Sequence, residues 1–353
     1  MTNNLDLLAI TKSLVESMGA TDVAKKLNLA RGTVIRWIDL KNVPTAYQFD
    51  LMKLAEIDID YSLFSSKQKD QFFTSQETVK YCYDVFLKKI SQLGLEEKDF
   101  HYIEPSAGDG AFLSVLPAER TIAMDIEPRN KKIIKQDFLQ WSPDVKNKFV
   151  VFGNPPFGLR GHLALNFINH SSSFSDFVCF ILPQLFESDG KGVPRKRVKG
   201  FNLIHSEKII SNFCDPSNKE IKINTIFQIW SKEHKDQSYE ISETKLSWLK
   251  IYSLSDGGTP SSTRNKKMLD KCDVYLPSTC FGKDKMKFYS DFESLPGRKG
   301  YGLVFNSCKK QKLIEFCKQN AWEEASFLST NSAYNLRMSK IREVLLDSYK
   351  KLE

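Results

Sequence analysis

Apolar residues recur at helical spacing over 5–18, where Leu5, Leu8, Ala9, Leu14, Val15 and Met18 share one face and Gly19 provides a stop. Thr21 and Asp22 can cap a second short helix over Val23 to Leu27. A turn through Asn28, Arg31 and Thr33 leads to a third around Val34 to Ile38, and Pro44 opens a fourth that runs to about Ile57. Two short helices joined by a tight turn read as a helix-turn-helix. Arg31, Thr33, Arg36 and Lys41 then lie on the exposed side of its second helix, where base edges and phosphates are met. The plainer alternative is a small helical bundle that binds protein, and the near-neutral charge of residues 1–60 favours it.

After the polar linker Ser65 to Asp70 the pattern changes to apolar strands alternating with amphipathic stretches, the signature of a parallel sheet. Phe73-Thr74-Ser75 leads into a helix from Gln76 to about Leu93. Strands are expected at His101–Glu104, Thr121–Ile126, Lys132–Gln136, Lys148–Phe152, Phe177–Leu182, around Phe201–His205, and Ile223–Trp230. Seven strands with interleaved helices predict one α/β, doubly wound domain. From about Lys235 the regularity breaks into Gly, Pro and Ser clusters separated by short apolar stretches, which predicts a third, α+β unit. The expected domains are therefore 1–65, 66–234 and 235–353.

At 353 residues the chain is long enough for two to three domains. Its formal charge of +8 is modest but uneven. The excess sits in Lys191, Arg195, Lys196, Arg197 and Lys199 and in residues 264–318, the kind of asymmetry that attracts a polyanion. Seven cysteines with no CxxC pair argue against a disulfide framework or a zinc site. The five histidines show no i, i+4 pairing and read as structural or exposed rather than catalytic, and no metal is expected. No leader pattern and no membrane-length apolar run is apparent, and an intracellular location is expected.

The chemistry concentrates after the strand ends. Glu104-Pro105-Ser106-Ala107-Gly108-Asp109-Gly110 is a small-residue turn that lets a ligand approach the backbone closely. Because it lacks the third glycine of GxGxxG, an adenosine-containing cofactor other than a dinucleotide is favoured. Asp125, followed by Ile126, stands at the tip of the next strand, where an acid accepts both hydroxyls of a ribose. Asp137 offers a carboxylate to an adenine amino hydrogen, with Phe138 packing on the ring. Asn154-Pro155-Pro156-Phe157 follows the apolar run Phe149 to Gly153. Its prolines hold the loop extended and leave carbonyls free, and an amide oxygen, a carbonyl and an aromatic plane together suit an exocyclic amino group on a planar ring.

Together these segments resemble the ordered motifs of S-adenosylmethionine-dependent DNA adenine-N6 methyltransferases, over roughly residues 72–230. The resemblance implies a Rossmann-like fold. It assigns Phe73 and Thr74 to the methionine part of S-adenosyl-L-methionine, Glu104 to Phe112 to the glycine motif, Asp125 to the ribose, and Asp137 and Phe138 to the adenine. Asn154 to Phe157 match the catalytic tetrapeptide, which ends here in Phe where many members carry Tyr. Ile181 to Phe186 resemble the family's LPxxF-like segment, and Phe227 sits where a second aromatic often meets the target base. The short gap between Asp137 and Asn154 leaves no room for a recognition domain, so the family order places recognition at 235–353.

The mechanism implied is base flipping, with the Asn154 side-chain oxygen and the Pro155 carbonyl holding the two amino hydrogens of adenine N6 and Phe157 stacking on the base. Lys191, Arg195 and Arg197 are then expected to contact phosphates, with DNA, double-stranded, as the partner and a cognate restriction endonuclease as a further one. The rivals are a methyltransferase acting on RNA adenine or another planar amino group, and a catalytically inactive DNA-binding regulator.

Overall fold

The computed structural model describes residues 6–27, 29–57, 59, 73–158, 161–188, 193–214, 220–240, 245–259, 262–328 and 333–351. The chain divides into two compact units, residues 1–174 with 211–223, and residues 175–210 with 224–353.

The first unit begins with four short helices, α1 (Leu7–Met18), α2 (Ala20–Lys26), α3 (Arg31–Asp39) and α4 (Gln48–Leu54). Asp6 caps α1 by accepting from the Ala9 amide at 2.9 Å, and Gly19, at φ +83°, turns the chain out of the helix. Leu14, Val23, Val34, Trp37, Tyr47 and Leu51 form a core of their own. That core is why α2 and α3 hold the helix-turn-helix arrangement, with Arg31, Arg36 and Lys41 exposed and Thr33 half-buried.

Further along lie β1 (Phe73–Thr74), α5 (Gln76–Gln92), β2 (His101–Glu104), β3 (Thr121–Asp125), β4 (Ile134–Lys135), β5 (Phe149–Gly153) and α6 (His162–Ser171). Ser75 caps α5, whose Val79, Cys82, Phe86 and Ile90 are buried at helical spacing. β2 pairs in parallel with both β3 and β5, and β3 with β4. Every residue of β5 is buried, as expected of a parallel strand covered on both faces. Between β2 and β3, and between β4 and β5, the expected interleaved helices are only 3-10 turns, at Ala111–Ser114, Ala118–Arg120 and Phe138–Gln140. Gly108, Gly110 and Pro117 in the first connection and Pro143 in the second interrupt any longer helix.

The second unit contributes β6 (Phe177–Pro183), most of β7 (Asn202–Cys214) and most of β8 (Glu220–Ser231), with β6 antiparallel to β8 from Phe177 opposite Ser231 to Pro183 opposite Thr225. The hydrogen-bonded order of the sheet is β1-β7-β8-β6-β5-β2-β3-β4 among the described residues. All seven expected strands are present, the eighth being the two-residue β1. The order reverses at β2, as in a doubly wound, Rossmann-like sheet.

The remainder of the second unit is α+β. β9 (Leu249–Ser255), β10 (Val274–Pro277) and β12 (Lys299–Phe305) form an antiparallel sheet in the order β10-β12-β9. A second small sheet joins β11 (Thr279–Phe281), β13 (Phe327–Leu328) and β14 (Ala333–Asn335), and α7 (Lys310–Gln319) and α8 (Met338–Lys351) pack Leu313, Ile341 and Leu345 into the same core as Leu276, Leu303 and Trp322. Gly300 and Gly302 of β12 have no room for a Cβ, which would overlap the Leu276 carbonyl and the Cys272 Sγ respectively. No helix among the described residues is long and apolar enough to cross a membrane.

Candidate active site

The carboxyl ends of β2, β3 and β5 open onto one cleft in the first unit, with about 920 Å³ of free space, part of which is open solvent. A crevice beyond the carboxyl ends of strands, at the reversal of strand order, is where open α/β sheets bind ligands.

Glu104 ends β2 almost fully buried, and its Oε2 has no hydrogen-bond partner. Burial, reinforced by the charges of Asp109 and Asp125, holds its carboxyl well above the ordinary range against one backbone hydrogen bond from Phe112. The turn that follows brings Gly108 to φ +55°, where its amide donates to Asp125 Oδ2 at 2.8 Å and a Cβ would lie 3.1 Å from the Phe73 ring. Arg129 stands over the Phe73 ring, 5.0 Å from its centroid. Gly110 does not line the cleft. It takes φ +88° at the start of the 3-10 turn and packs against Asn130 and Leu113, so its part is conformational.

Asp125 ends β3 with both oxygens engaged, Oδ2 by Gly108 and Oδ1 by the Glu127 amide at 2.7 Å. Burial nevertheless raises its pKa, and burial does the same to Asp109. Three carboxyls with elevated proton affinity face one small space. Such a site is incompletely neutralised by the protein and favours a positively charged ligand.

Asp137 caps the 3-10 turn after β4, accepting from the Leu139 amide at 3.1 Å through Oδ1, while Oδ2 pairs with Lys53 Nζ of α4 at 2.6 Å. Phe138 contributes to the wall but is only 1% exposed, its ring packed between Phe167 and His170 at 5.2 and 5.0 Å. It therefore backs the cleft rather than presenting an open face. Leu163 and Phe167, one helical turn apart on α6, complete this apolar end.

Asn154 follows β5. Its Nδ2 donates to Thr74 Oγ1 at 3.3 Å, its backbone carbonyl accepts from Ser106 Oγ at 3.2 Å, and its Oδ1 is buried without a hydrogen-bond partner. Thr74, on β1, thus fixes the amide so that the oxygen is left as an acceptor. Pro155 is buried, Pro156 lines the cleft, and Phe157 is half-buried beside it in sequence. The loop is braced from behind by α6, where His162 Nε2 meets Asp50 Oδ2 at 2.8 Å and the Ala164 amide donates to the Phe157 carbonyl.

Phe73, Thr74, Glu104 to Gly108, Asp125, Ile126, Asp137, Phe138 and Asn154 thus converge on one cleft. Several residues named from sequence stand elsewhere. Phe227, on β8, is completely buried, which corrects its expected stacking on a base: no face of its ring is open. Arg195 lies in a 3-10 turn, Pro194–Arg197, and its guanidinium donates to the Tyr239 carbonyl, so part of its hydrogen-bonding capacity is spent within the protein. Arg197 in the same turn is half-buried, and Lys191 falls outside the described residues. Sequence reading missed Lys53, Glu127, Leu163 and Phe167. The spacing of the last two on an amphipathic helix was an available signal, whereas nothing near Lys53 marks it.

No known protein-family profile matches the chain, and no curated relative matches it. Solved structures do. A protein from Pyrococcus horikoshii provisionally described as an RNA methyltransferase has a TM-score of 0.35 at 19% identity, covering 46% of this chain and 86% of its own. The 23S rRNA methyltransferase ErmE has a TM-score of 0.31 at 15% identity, covering 46% and 70%. The magnesium protoporphyrin IX methyltransferase of Synechocystis PCC 6803, with bound SAM, has a TM-score of 0.31 at 11% identity, covering 66% and 100%. At likenesses this distant, what the cleft does has to be read from its own residues.

Proposed function

We propose that the chain is an S-adenosylmethionine-dependent methyltransferase that acts on the N6 amino group of adenine in DNA. The observation that carries this reading is the Asn154 side chain: a buried amide oxygen with no partner, oriented by Thr74, at the edge of a cleft lined by carboxyls. A buried acceptor left unpaired is costly, and a ligand that donates a hydrogen to it removes the cost.

The residues fit the cofactor. Glu104 Oε2 is a second unpaired buried acceptor, and Gly108 leaves the backbone open where a Cβ would press on Phe73. Glu104, Asp109 and Asp125 line the cleft with three carboxyls whose charged forms burial disfavours, and a ligand carrying a sulfonium and an ammonium group would stabilise those charged forms. In this reading Asp125 and Glu127, at the end of β3, would take the ribose hydroxyls, Asp137 the adenine amino group, and Leu163 and Phe167 would flank the ring with Phe138 packed behind them. When bound, S-adenosylmethionine supplies an electrophilic methyl group.

The chain's own task is to make a poor nucleophile ready. The adenine amino nitrogen is delocalised into its ring, and two fixed acceptors, Asn154 Oδ1 and the Pro155 carbonyl, favour the pyramidal nitrogen by taking one hydrogen each. Their dipoles are set before the substrate arrives, so they stabilise the positive charge that grows on nitrogen without reorganisation. Phe157 offers a stacking face for a flipped base, worth about 1–3 kcal/mol, of the same order as the unstacking it offsets. With Phe227 buried, the base has one aromatic partner from this set. The exposed Arg31 and Arg36 of α3 and the basic stretch 264–318 support DNA as the carrier of the adenine, with 235–353 reading the target.

Incubation of the full chain with radiolabelled S-adenosylmethionine and duplex DNA, single-stranded DNA, RNA or protein tests the reading. Label on N6-methyladenine from DNA is expected. Label confined to RNA would end the DNA assignment, and none on any substrate despite cofactor binding would favour a regulator that has lost catalysis.

A further inference from the structure

We infer that Asp50, on α4 of the N-terminal helical region, and His162, on α6, are positioning residues of the loop from Asn154 to Gly158, which makes that helical region part of the catalytic apparatus. The inference rests on the function proposed above, in which this loop holds the adenine amino group and stacks on the base. Asp50 and His162 are 112 residues apart in the chain, yet Asp50 Oδ2 lies 2.8 Å from His162 Nε2, and both belong to the first compact unit. Neither residue lines the cleft, and His162 is only 5% exposed. They meet no ligand there, so what they contribute to the chemistry passes through the loop.

The imidazole of His162 lies against the back of Gly158. A Cβ on that glycine would stand 2.7 Å from His162 Nδ1 and 2.8 Å from its Cε1, closer than side chains approach one another. Gly158 directly follows Phe157 and takes φ +65°, a conformation that glycine adopts at little cost. Its carbonyl accepts from the Gly161 amide at 3.2 Å, and the Phe157 carbonyl accepts from the Ala164 amide at 3.4 Å. The end of the loop that carries the stacking ring is therefore set by where one imidazole sits and by the first turn of α6 behind it. The next residue of that turn, Leu163, is itself part of the cleft wall.

The helical region holds the imidazole from the other side. Asp50 binds its Nε2, and the ring of Tyr47, three residues earlier, packs 4.8 Å from the imidazole at an interplanar angle of 35°. Tyr47 packs in turn on Trp37 of α3 at 4.9 Å, and both belong to the core of the helical region. Trp37, Tyr47 and His162 are all buried, so the path from α3 to Gly158 runs through close-packed side chains, which pass a displacement on rather than absorb it. A shift of about 1 Å in a reacting group can cost about a hundredfold in rate. Loosening this path should therefore slow methyl transfer, whereas the cofactor end of the cleft, at Glu104, Gly108 and Asp125, touches neither Asp50 nor His162 and should bind as before.

The test compares the full chain with Asp50→Ala, Asp50→Asn, His162→Leu and the double variant Asp50→Ala/His162→Leu. Methyl transfer to duplex DNA is measured per active site, with sites counted by calorimetric titration with S-adenosylhomocysteine so that unfolded protein does not enter the rate. Asp50→Ala should lower kcat per site about tenfold and leave KM for S-adenosylmethionine unchanged. Asp50→Asn, whose amide offers a hydrogen-bonding group in the same place, should restore most of the rate. The double variant should be no slower than His162→Leu alone, because both residues act along one path. Hydrogen exchange needs no substrate: peptides spanning 157–165 should exchange faster in Asp50→Ala, and those spanning 104–112 should not. Asp50→Ser supplies the same comparisons should the alanine variant not fold. Wild-type kcat per site in Asp50→Ala, or exchange that quickens equally across the whole unit, would overturn the inference by making the pair an ordinary structural contact. If the wild type transfers no methyl group to any substrate, the proposed function falls, and exchange over 157–165 still decides whether Asp50 positions the loop.

Discussion

The carboxylates of the cleft and those of the C-terminal α+β part behave in opposite ways. Glu104, Asp109 and Asp125 have their pKa values raised, burial being the leading cause in each. Asp256, directly after β9, and Asp291, in the connection between β11 and β12, have theirs lowered, chiefly by the backbone amides of Gly258 and Ser294. The second set is used for structure: Asp256 also pairs with Arg298 at 2.6 Å, and Asp273 accepts from the Phe305 amide at 2.9 Å while pairing with Lys310. Among the described residues, five buried side-chain polar atoms have no hydrogen-bond partner: those of Glu104 and Asn154 face the cleft, those of His101, His205 and Glu207 do not line it, and none lies within 245–351. The C-terminal part satisfies its buried polar side chains internally, whereas the cleft holds two acceptors that a ligand can satisfy.

The strongest break of this contrast is Asn154→Ala. Removing one preorganised acceptor is expected to lower methyl transfer about a hundred- to a thousandfold, in a radiolabel assay, with S-adenosylhomocysteine affinity little changed. Equal activity in the variant would remove the proposed mechanism. Next comes Gly108→Ala, which forces a Cβ into a positive-φ position beside Phe73. A loss of about 1–2 kcal/mol in stability is expected from the backbone alone, together with weaker cofactor binding, both readable by denaturant melts and calorimetry. Gly302→Ala makes the converse case, because overpacking against Cys272 and Leu254 should cost about 1–3 kcal/mol while the folded protein binds the cofactor as before. A parallel loss of affinity would show the two regions to be coupled.

The smallest effect is in pH dependence, and its sign differs between the regions. A carboxyl whose folded pKa is raised destabilises the fold at neutral pH, and that penalty fades as the pH falls through the folded value toward the ordinary 4.5 of glutamate. Glu104→Gln should therefore raise the melting temperature at pH 7, by about 2–4 °C per kcal/mol relieved, and the gain should vanish below pH 4.5. Asp256 has a lowered pKa, so its contribution is present above the ordinary 3.8 and is lost as the pH falls below it. Asp256→Asn should lower the melting temperature slightly at pH 7 and not at all in strong acid. A gain for Asp256→Asn at neutral pH would refute the assignment of that carboxylate to structure.

Much of this was legible along the chain. Seven of the sheet's eight strands are marked by apolar runs bounded by turn residues, and strand ends with a glycine turn, two acids and Asn-Pro-Pro-Phe mark the cleft. What was not legible has particular reasons. Phe227 looks the same in sequence whether its ring faces a ligand or the core, since β8 is apolar on both faces. The helices expected between β2 and β3 and between β4 and β5 shrank to 3-10 turns because Gly, Pro and Asn interrupt those short connections. Lys53 gave no signal at all, because an exposed lysine on a short helix has no local pattern that distinguishes it from solvated surface.

The sequence by itself determined which groups stand at the ends of β2, β3 and β5, because strand direction and turn chemistry are local properties written in a few adjacent residues. Only the tertiary structure decided which of those groups are satisfied and which are left in want of a partner. It alone seated α4 so that Lys53 reaches Asp137, turned the Asn154 amide by way of Thr74, and closed the core over Phe227. Those outcomes depend on contacts between residues far apart in the chain, and a hydrogen bond or a buried face exists only once both partners have been brought to the same place.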